Sequence, residues 1–124
     1  MAHLLDLKTH HDARGNLTVI NDIEKELPFK VKRVFYIYGV DQSLRGGHRH
    51  KTTYQAAICL NGSCVISNHN GAKQEAFLLD DPGKCLILEP KDWHVMSNFS
   101  ENSVLLVFAS ESFDANDYIY DKYL

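Results

Sequence analysis

The sequence predicts one all-β domain, a sandwich or barrel of short antiparallel strands with a short helical turn near its C-terminus. Three observations carry that expectation. Runs rich in β-branched and aromatic residues recur from Leu4 to Ala109, with turn residues between them every eight to twelve residues or so. Asn61-Gly62 stands between two such runs and is the strongest short hairpin signal. Helical patterning is nearly absent before the last stretch of the chain. At 124 residues the chain fits a single domain, residues 1–124, with enough length to bury a core.

Taken in order, Leu4 to Thr9 reads as a first short strand, and His11 to Asn16 as a turn on composition. Leu17 to Ile20 follows as a strand, and Ile23 to Leu27 as a helical turn ended by Pro28. Phe29 to Tyr38 carries Val31, Val34, Phe35, Tyr36, Ile37 and Tyr38, a strand composition. Asp41 to Gly47 is a loop. Gln55–Leu60 and Ser63–Ser67 flank the Asn61-Gly62 turn, and Asn70-Gly71 precedes a strand from Ala72 to Leu79. Asp81-Pro82-Gly83 turns the chain into Cys85–Leu88, and Glu89-Pro90-Lys91-Asp92 into Trp93–Phe99. Ser103 to Ala109 reads as a fully buried strand. Asp114 is placed to cap a turn with an acidic start, and the tail bearing Tyr118, Tyr120 and Tyr123 is expected on the outside of the barrel.

Bulk properties exclude several function classes. Hydrophobic content of 44% and charged content of 23% are ordinary for a globular chain. A net charge of −3 argues against general binding to nucleic acid or to a membrane surface, which needs a basic patch. No apolar run approaches a membrane span, and the N-terminus has no signal-peptide pattern. Cys59, Cys64 and Cys85 lie inside apolar runs without metal-type spacing, so they are expected as reduced core residues of a cytoplasmic protein.

The chemistry concentrates at Arg45-Gly46-Gly47-His48-Arg49-His50-Lys51. On a strand, residues two apart share a face, so His48 and His50 project together while Arg49 turns away. Two such imidazoles form either a metal site or an acid/base pair. His3, His10, His11 and His69 fall in termini or turns and are expected to be solvated.

These residues resemble the cupin superfamily. Its first motif maps onto Gly46 or Gly47, His48, His50 and Gly62, with Gln55 where a glutamate is usual. The second maps onto Gly83, Pro90, His94 and Asn98, with Asp92 in place of a glycine. The resemblance implies a jelly-roll barrel with His48, His50 and His94 near its mouth. Three histidines can hold zinc or iron, but Gln55 offers only a neutral amide oxygen.

A narrower resemblance covers nearly the whole chain. Lys32–Ile37, Arg45–Lys51, Leu60–Cys64, Pro90-x-x-Trp93-His94-x-Met96, Leu105–Glu111 and Asp114-x-x-Asp117-Tyr118-Ile119 are similar to the dTDP-4-keto-6-deoxyglucose 3,4-ketoisomerases, the WxcM-like family. Arg49 departs from the small residue usual there. The resemblance implies an isomerase without metal or other cofactor, acting on a dTDP-linked 4-keto-6-deoxyhexose. It also implies a place in making 3-amino-3,6-dideoxyhexoses for surface polysaccharides, and a homodimer that often exchanges N-terminal strands. Under it, His48 and His50 divide the proton transfers and Tyr36 donates to the sugar oxygens. Arg14, Arg33 and Arg45 are the candidates to grip the pyrophosphate, because a guanidinium can bind phosphate oxygens in pairs. Gln55, Trp93 and His94 would shape the sugar pocket. Strand parity puts Arg33 and Tyr36 on opposite faces unless a bulge or dimer contact intervenes. Competing readings are a metal-dependent cupin dioxygenase, a non-catalytic sugar-nucleotide-binding cupin, and a 3,5-epimerase of the same substrate.

Overall fold

A computed structural model describes residues 2–123. Its strands are β1 (His3–Asp6), β2 (Lys8–Asp12), β3 (Gly15–Val19), β4 (Arg33–Tyr38), β5 (Arg45–His50), β6 (Gln55–Asn61), β7 (Cys64–His69), β8 (Gln74–Leu79), β9 (Lys84–Leu88), β10 (Trp93–Ser97), β11 (Val104–Ala109) and β12 (Tyr118–Ile119). Helix is confined to α1 (Ile23–Glu26) and a 3-10 turn at Ala115–Asp117. Two five-stranded sheets form the barrel, in orders β1-β9-β6-β11-β4 and β12-β5-β10-β7-β8, and β2 and β3 make a separate hairpin. The expected all-β barrel is the observed architecture, and no described helix is long and apolar enough to cross a membrane.

Hydrophobic burial organises the two sheets. Ala57, Cys59, Leu86, Leu88, Leu105 and Val107 of the first face Cys64, Ile66, Leu79 and Met96 of the second. The opposite side of the first sheet is also covered, because Ala56, Ile58, Cys85 and Ile87 pack under Leu27, with Leu5, Leu7, Ile20 and Phe29 against them. A sheet buried on both faces needs uninterrupted apolar strands, which explains the runs Ala56–Cys59 and Cys85–Leu88. All three cysteines are buried and free.

The N-terminal region departs from expectation in two ways. The first strand is divided, because β1 pairs with β9 while Leu7 breaks away, its N–H donating to the Gly83 carbonyl at 2.7 Å. The predicted turn shrinks to Ala13-Arg14, since His11 and Asp12 pair with Asn16 and Gly15. Further on, Asp114 caps the 3-10 turn by accepting from the Asn116 N–H at 2.9 Å, as its position suggested. The tail differs in part from its expected place. β12 pairs with β5 through Tyr118↔His50 and Ile119↔Arg49, carrying Tyr118 into the barrel mouth. Tyr123 packs outside as expected, over Arg49 and against His69, and Tyr120 is largely exposed.

Candidate functional site

The site begins with an irregularity in β5. Gly46 and Gly47 adopt φ of +87° and +75°, a region that side-chain-bearing residues avoid. Against β10 the register runs His94↔His48 and then Val95↔Gly46, so Gly47 is the extra residue of a bulge. A Cβ on Gly46 would lie 2.9 Å from the His94 carbonyl oxygen, so only glycine lets the two strands approach this closely. The bulge brings His48 beside His94, and β-strand alternation turns His50 to the same side.

The three imidazoles form one cluster. His48 lies 4.9 Å from His50 and 4.8 Å from His94 between ring centroids, and His50 lies 6.0 Å from His94. The Tyr118 ring lies 4.6 Å from both His48 and His50, tilted against the first and edge-on to the second, and Tyr120 reaches 6.3 Å from His48. The cluster opens into a cleft of about 180 Å³ lined by Phe35, Ile37, Arg45, Gly46, His48, Gln55, His94, Met96 and Tyr118. His94 and His50 are buried, whereas His48 is half-buried and faces the opening.

Hydrogen bonds distinguish the histidines. The Asp117 carboxylate receives His50 Nδ1–H at 2.9 Å on Oδ2, where the Thr53 hydroxyl also donates. Its Oδ1 accepts the Thr52 N–H at 2.8 Å and the Thr52 hydroxyl at 2.9 Å. Burial opposes the charge on Asp117, but the donors from Thr53, Thr52 and His50 hold its pKa down to about 2. Burial lowers the His50 pKa, opposed by the hydrogen bond and charge of Asp117; nearby Arg33 lowers it further. The His48 pKa is lowered by burial and then by His50. That of His94 falls to about 3, mainly by burial and then by His48; its Nδ1 lies 3.3 Å from the Asp92 carbonyl. At neutral pH the cluster therefore holds neutral imidazoles, with one carboxylate placed to stabilise a proton on His50.

Not every candidate reaches this cluster. The structure brings together His48, His50, His94, Arg45 and Gln55, whose Oε1 has no hydrogen-bond partner among the described residues. Arg33 joins their side of the barrel, lying over the rings of Phe35 at 5.5 Å and Phe113 at 5.8 Å. Tyr36 does not: Arg33, Phe35 and Ile37 take the inner face of β4, so Tyr36 points outward, 63% exposed and stacked 5.8 Å from Tyr38. Trp93 likewise alternates with the buried His94 and Met96 and occupies the other face of β10. Arg14 sits at the hairpin tip, ion-paired to Asp12 at 2.7 Å and away from the cleft. Arg49 turns away as parity required and stacks 4.0 Å over Tyr123. Sequence reasoning missed Asp117 and Tyr118 as site residues. The acidic, tyrosine-rich tail was their only signal, and nothing local revealed that it pairs with the histidine strand.

The cluster also meets the distance requirement of a cation site, because one nitrogen from each of His48, His50 and His94 lies within 4.8 Å of the others. His50 Nε2 has no partner among the described residues, so it is available as a donor atom. All three ligands are neutral, Gln55 adds no charge, and the carboxylate of Asp117 is turned to the far side of His50. A first-row transition metal would fit these nitrogens, held without an anionic ligand.

Comparison with known proteins gives one consistent relationship. The family model described as WxcM-like, C-terminal matches residues 1–124. A TDP-4-oxo-6-deoxy-α-D-glucose-3,4-oxoisomerase from Aneurinibacillus thermoaerophilus is 38% identical over 123 residues, covering 97% of this chain and 88% of the relative. A histidine-to-asparagine mutant of the 3,4-ketoisomerase QdtA from Thermoanaerobacterium thermosaccharolyticum, solved in complex with TDP-4-keto-6-deoxyglucose, superposes with a TM-score of 0.90 at 40% identity, covering 97% of this chain and 87% of that one. The WlaRB TDP-quinovose 3,4-ketoisomerase from Campylobacter jejuni superposes with a TM-score of 0.89 at 37% identity, covering 97% and 92%.

Proposed function

Because this chain belongs to the WxcM-like family, we propose that it is a dTDP-sugar 3,4-ketoisomerase, moving the keto group of a dTDP-linked 4-keto-6-deoxyhexose from carbon 4 to carbon 3. The observation that carries the reading is the histidine cluster at the floor of a cleft with an arginine in its wall. The reaction is a pair of proton transfers between adjacent carbons. A base takes the proton from carbon 3, and its electron pair forms the C3–C4 double bond of an enediolate with negative charge on the carbon 4 oxygen. A proton then reaches carbon 4, the carbon 3 hydroxyl loses its proton as that oxygen becomes the ketone, and the carbon 4 oxygen gains one. The sugar ends as an isomer with no net oxidation, so imidazoles that alternate between neutral and protonated forms suffice for every transfer.

His48 and His50 divide these transfers. Arg45 and Arg33 stabilise anionic oxygens of the enediolate or the pyrophosphate, Gln55 hydrogen-bonds the sugar through its unpartnered Oε1, and His94 closes the floor of the pocket. The product would serve biosynthesis of 3-amino-3,6-dideoxyhexoses, in the cytoplasm where nucleotide sugars are made.

A homodimer completes the reading. The outer face of β4 exposes Val34, Tyr36 and Tyr38, β4 ends its sheet, and the β2–β3 hairpin pairs with no other strand of the described chain. A second copy can cover both features, with the N-terminal hairpin exchanged, and Arg14 would then serve the partner's site. Light scattering on Y36R/Y38R tests this, since two charges on the buried face should yield monomers.

One observation favours a second reading: a cation held by His48, His50 and His94 would polarise a sugar carbonyl as a Lewis acid. Incubation with dTDP-4-keto-6-deoxyglucose and excess chelator separates the two. Formation of the 3-keto sugar at an undiminished rate supports histidine chemistry. Activity that vanishes with chelator and returns with added metal supports the cation, and binding without turnover leaves a sugar-nucleotide-binding protein.

A further inference from the structure

The Asp117–His50 pair lies behind the reacting face of the imidazole. Asp117 is delivered by long-range pairing: the Lys51 N–H donates to the Asp117 carbonyl at 2.8 Å, and Tyr118 pairs with His50 across β12 and β5. Its side chain is only 10% exposed and that of His50 only 4%. The carboxylate accepts four donors, two on each oxygen, so it is fixed in orientation as well as in charge. His50 Nε2, on the other side of the ring, is buried without a partner among the described residues. Among the described residues, His48 has no carboxylate as a charge or hydrogen-bond partner. The two histidines that share one cleft are thus unequally equipped.

We propose that Asp117 is the positioning residue of the isomerase, locking neutral His50 as the Nδ1–H tautomer so that Nε2 alone exchanges protons with the sugar. This rests on the isomerase reading and sharpens it. Of the two histidines, His50 is the one with a carboxylate bonded to its far nitrogen, so once Nε2 takes a proton from solvent it is His50 that delivers a proton to the substrate. His48, neutral and facing the opening, removes the proton from carbon 3. When His50 gives up its Nε2 proton it returns to the Nδ1–H tautomer, solvent reloads it, and His48 releases the carbon 3 proton to solvent.

The surroundings dictate how Asp117→Asn must behave. The Thr52 backbone N–H can only donate, so the Asn oxygen is required at the Oδ1 position. The Asn NH2 group then occupies the Oδ2 position and donates to His50 Nδ1. That forces His50 into the opposite tautomer, with its proton on Nε2 and no acceptor toward the cleft. The Thr53 hydroxyl can rotate to accept, so the substitution costs little in packing. A near-isosteric change thereby inverts one proton.

Long-range 1H–15N spectra of 15N-histidine-labelled protein, with His50 assigned by its loss in H50N, test the proposal alongside steady-state kinetics on dTDP-4-keto-6-deoxyglucose. The expected results are Nδ1–H in the unsubstituted protein, Nε2–H in D117N, and a kcat reduced by about 10²- to 10⁴-fold, the worth of one positioned acid or base. KM should move less than about threefold, because Asp117 does not touch the sugar. An Nε2–H tautomer in the unsubstituted protein overturns the proposal whether or not D117N folds. So does a folded D117N whose kcat falls less than tenfold. Absence of turnover by the unsubstituted enzyme instead sinks the isomerase reading, and the spectra still decide the tautomer.

Discussion

Lowering the pH should unfold this protein through one side chain in particular. His94 is 1% exposed, meets the Asp92 carbonyl at 3.3 Å, and has His48 4.8 Å away and, among the described residues, no carboxylate bonded to it. Its pKa falls from 6.5 to about 3 on folding. Between those values the unfolded chain binds a proton that the folded chain does not, so stability falls as pH falls. The slope owed to His94 is about 1.4 kcal/mol per pH unit, which by pH 4.5 amounts to roughly 3 kcal/mol and over the whole window to an order of 5 kcal/mol. Above pH 6.5 this contribution is flat. Asp117 is depressed in the other sense: its stabilising contribution is present above pH 3.8 and lost as pH falls toward 2, so it stays constant in the range examined. Depression of His48 and His50 acts in the same direction as His94 but is common to both proteins compared. Denaturant unfolding of the parent protein and H94Q from pH 7 to 4.5 isolates the term. The parent should lose about 1.4 kcal/mol per unit more steeply than H94Q; parallel curves would refute the reasoning.

Other outcomes follow from the same geometry. Gly46→Ala places a Cβ 2.9 Å from the His94 carbonyl at φ +87°, and should cost about 1–3 kcal/mol in urea unfolding while separating His48 from His94. Arg45→Ala removes a charge-assisted grip on the nucleotide sugar and should raise KM by about 10- to 100-fold with a smaller change in kcat, as steady-state kinetics will show. Gln55→Glu puts a carboxylate beside three imidazoles and should raise zinc affinity at least about tenfold by titration calorimetry, at the expense of isomerase activity.

Much of the fold was legible because turns and strands carry local chemistry. Gly62, at φ +72°, ends β6 as expected, but Asn61-Gly62 carries the chain from one sheet to the other instead of closing the expected hairpin. The reason is that β6 pairs with β9 and β11, and β7 with β8 and β10. The runs Ala56–Cys59 and Cys85–Leu88 became strands buried on both faces, whereas β11, expected to be fully buried, alternates buried and half-buried residues. The histidine pair was legible because parity along β5 is fixed from His48 onward. Inner and outer faces were not legible where both are apolar. On β4 the alternatives were Arg33, Phe35 and Ile37, or Val34, Tyr36 and Tyr38, and only pairing with β11 and packing against the other sheet chose the first. Tyr36 was misplaced for that reason, and Trp93, next to His94, for a similar one. Asp117 and Tyr118 reach the site by pairing with a strand far away in the sequence. That contact has no local periodicity to announce it.

The central claim is that imidazoles in the cleft move a proton between carbons 3 and 4. Turnover of dTDP-4-keto-6-deoxyglucose in heavy water, with chelator present, tests it most directly when followed by proton NMR for the parent protein, H48N and H50N. The parent should incorporate deuterium at the former carbonyl carbon 4 and yield the 3-keto sugar, while each variant binds the substrate and does neither. Deuterium-free product, or near-parental rates from both variants, would contradict the account.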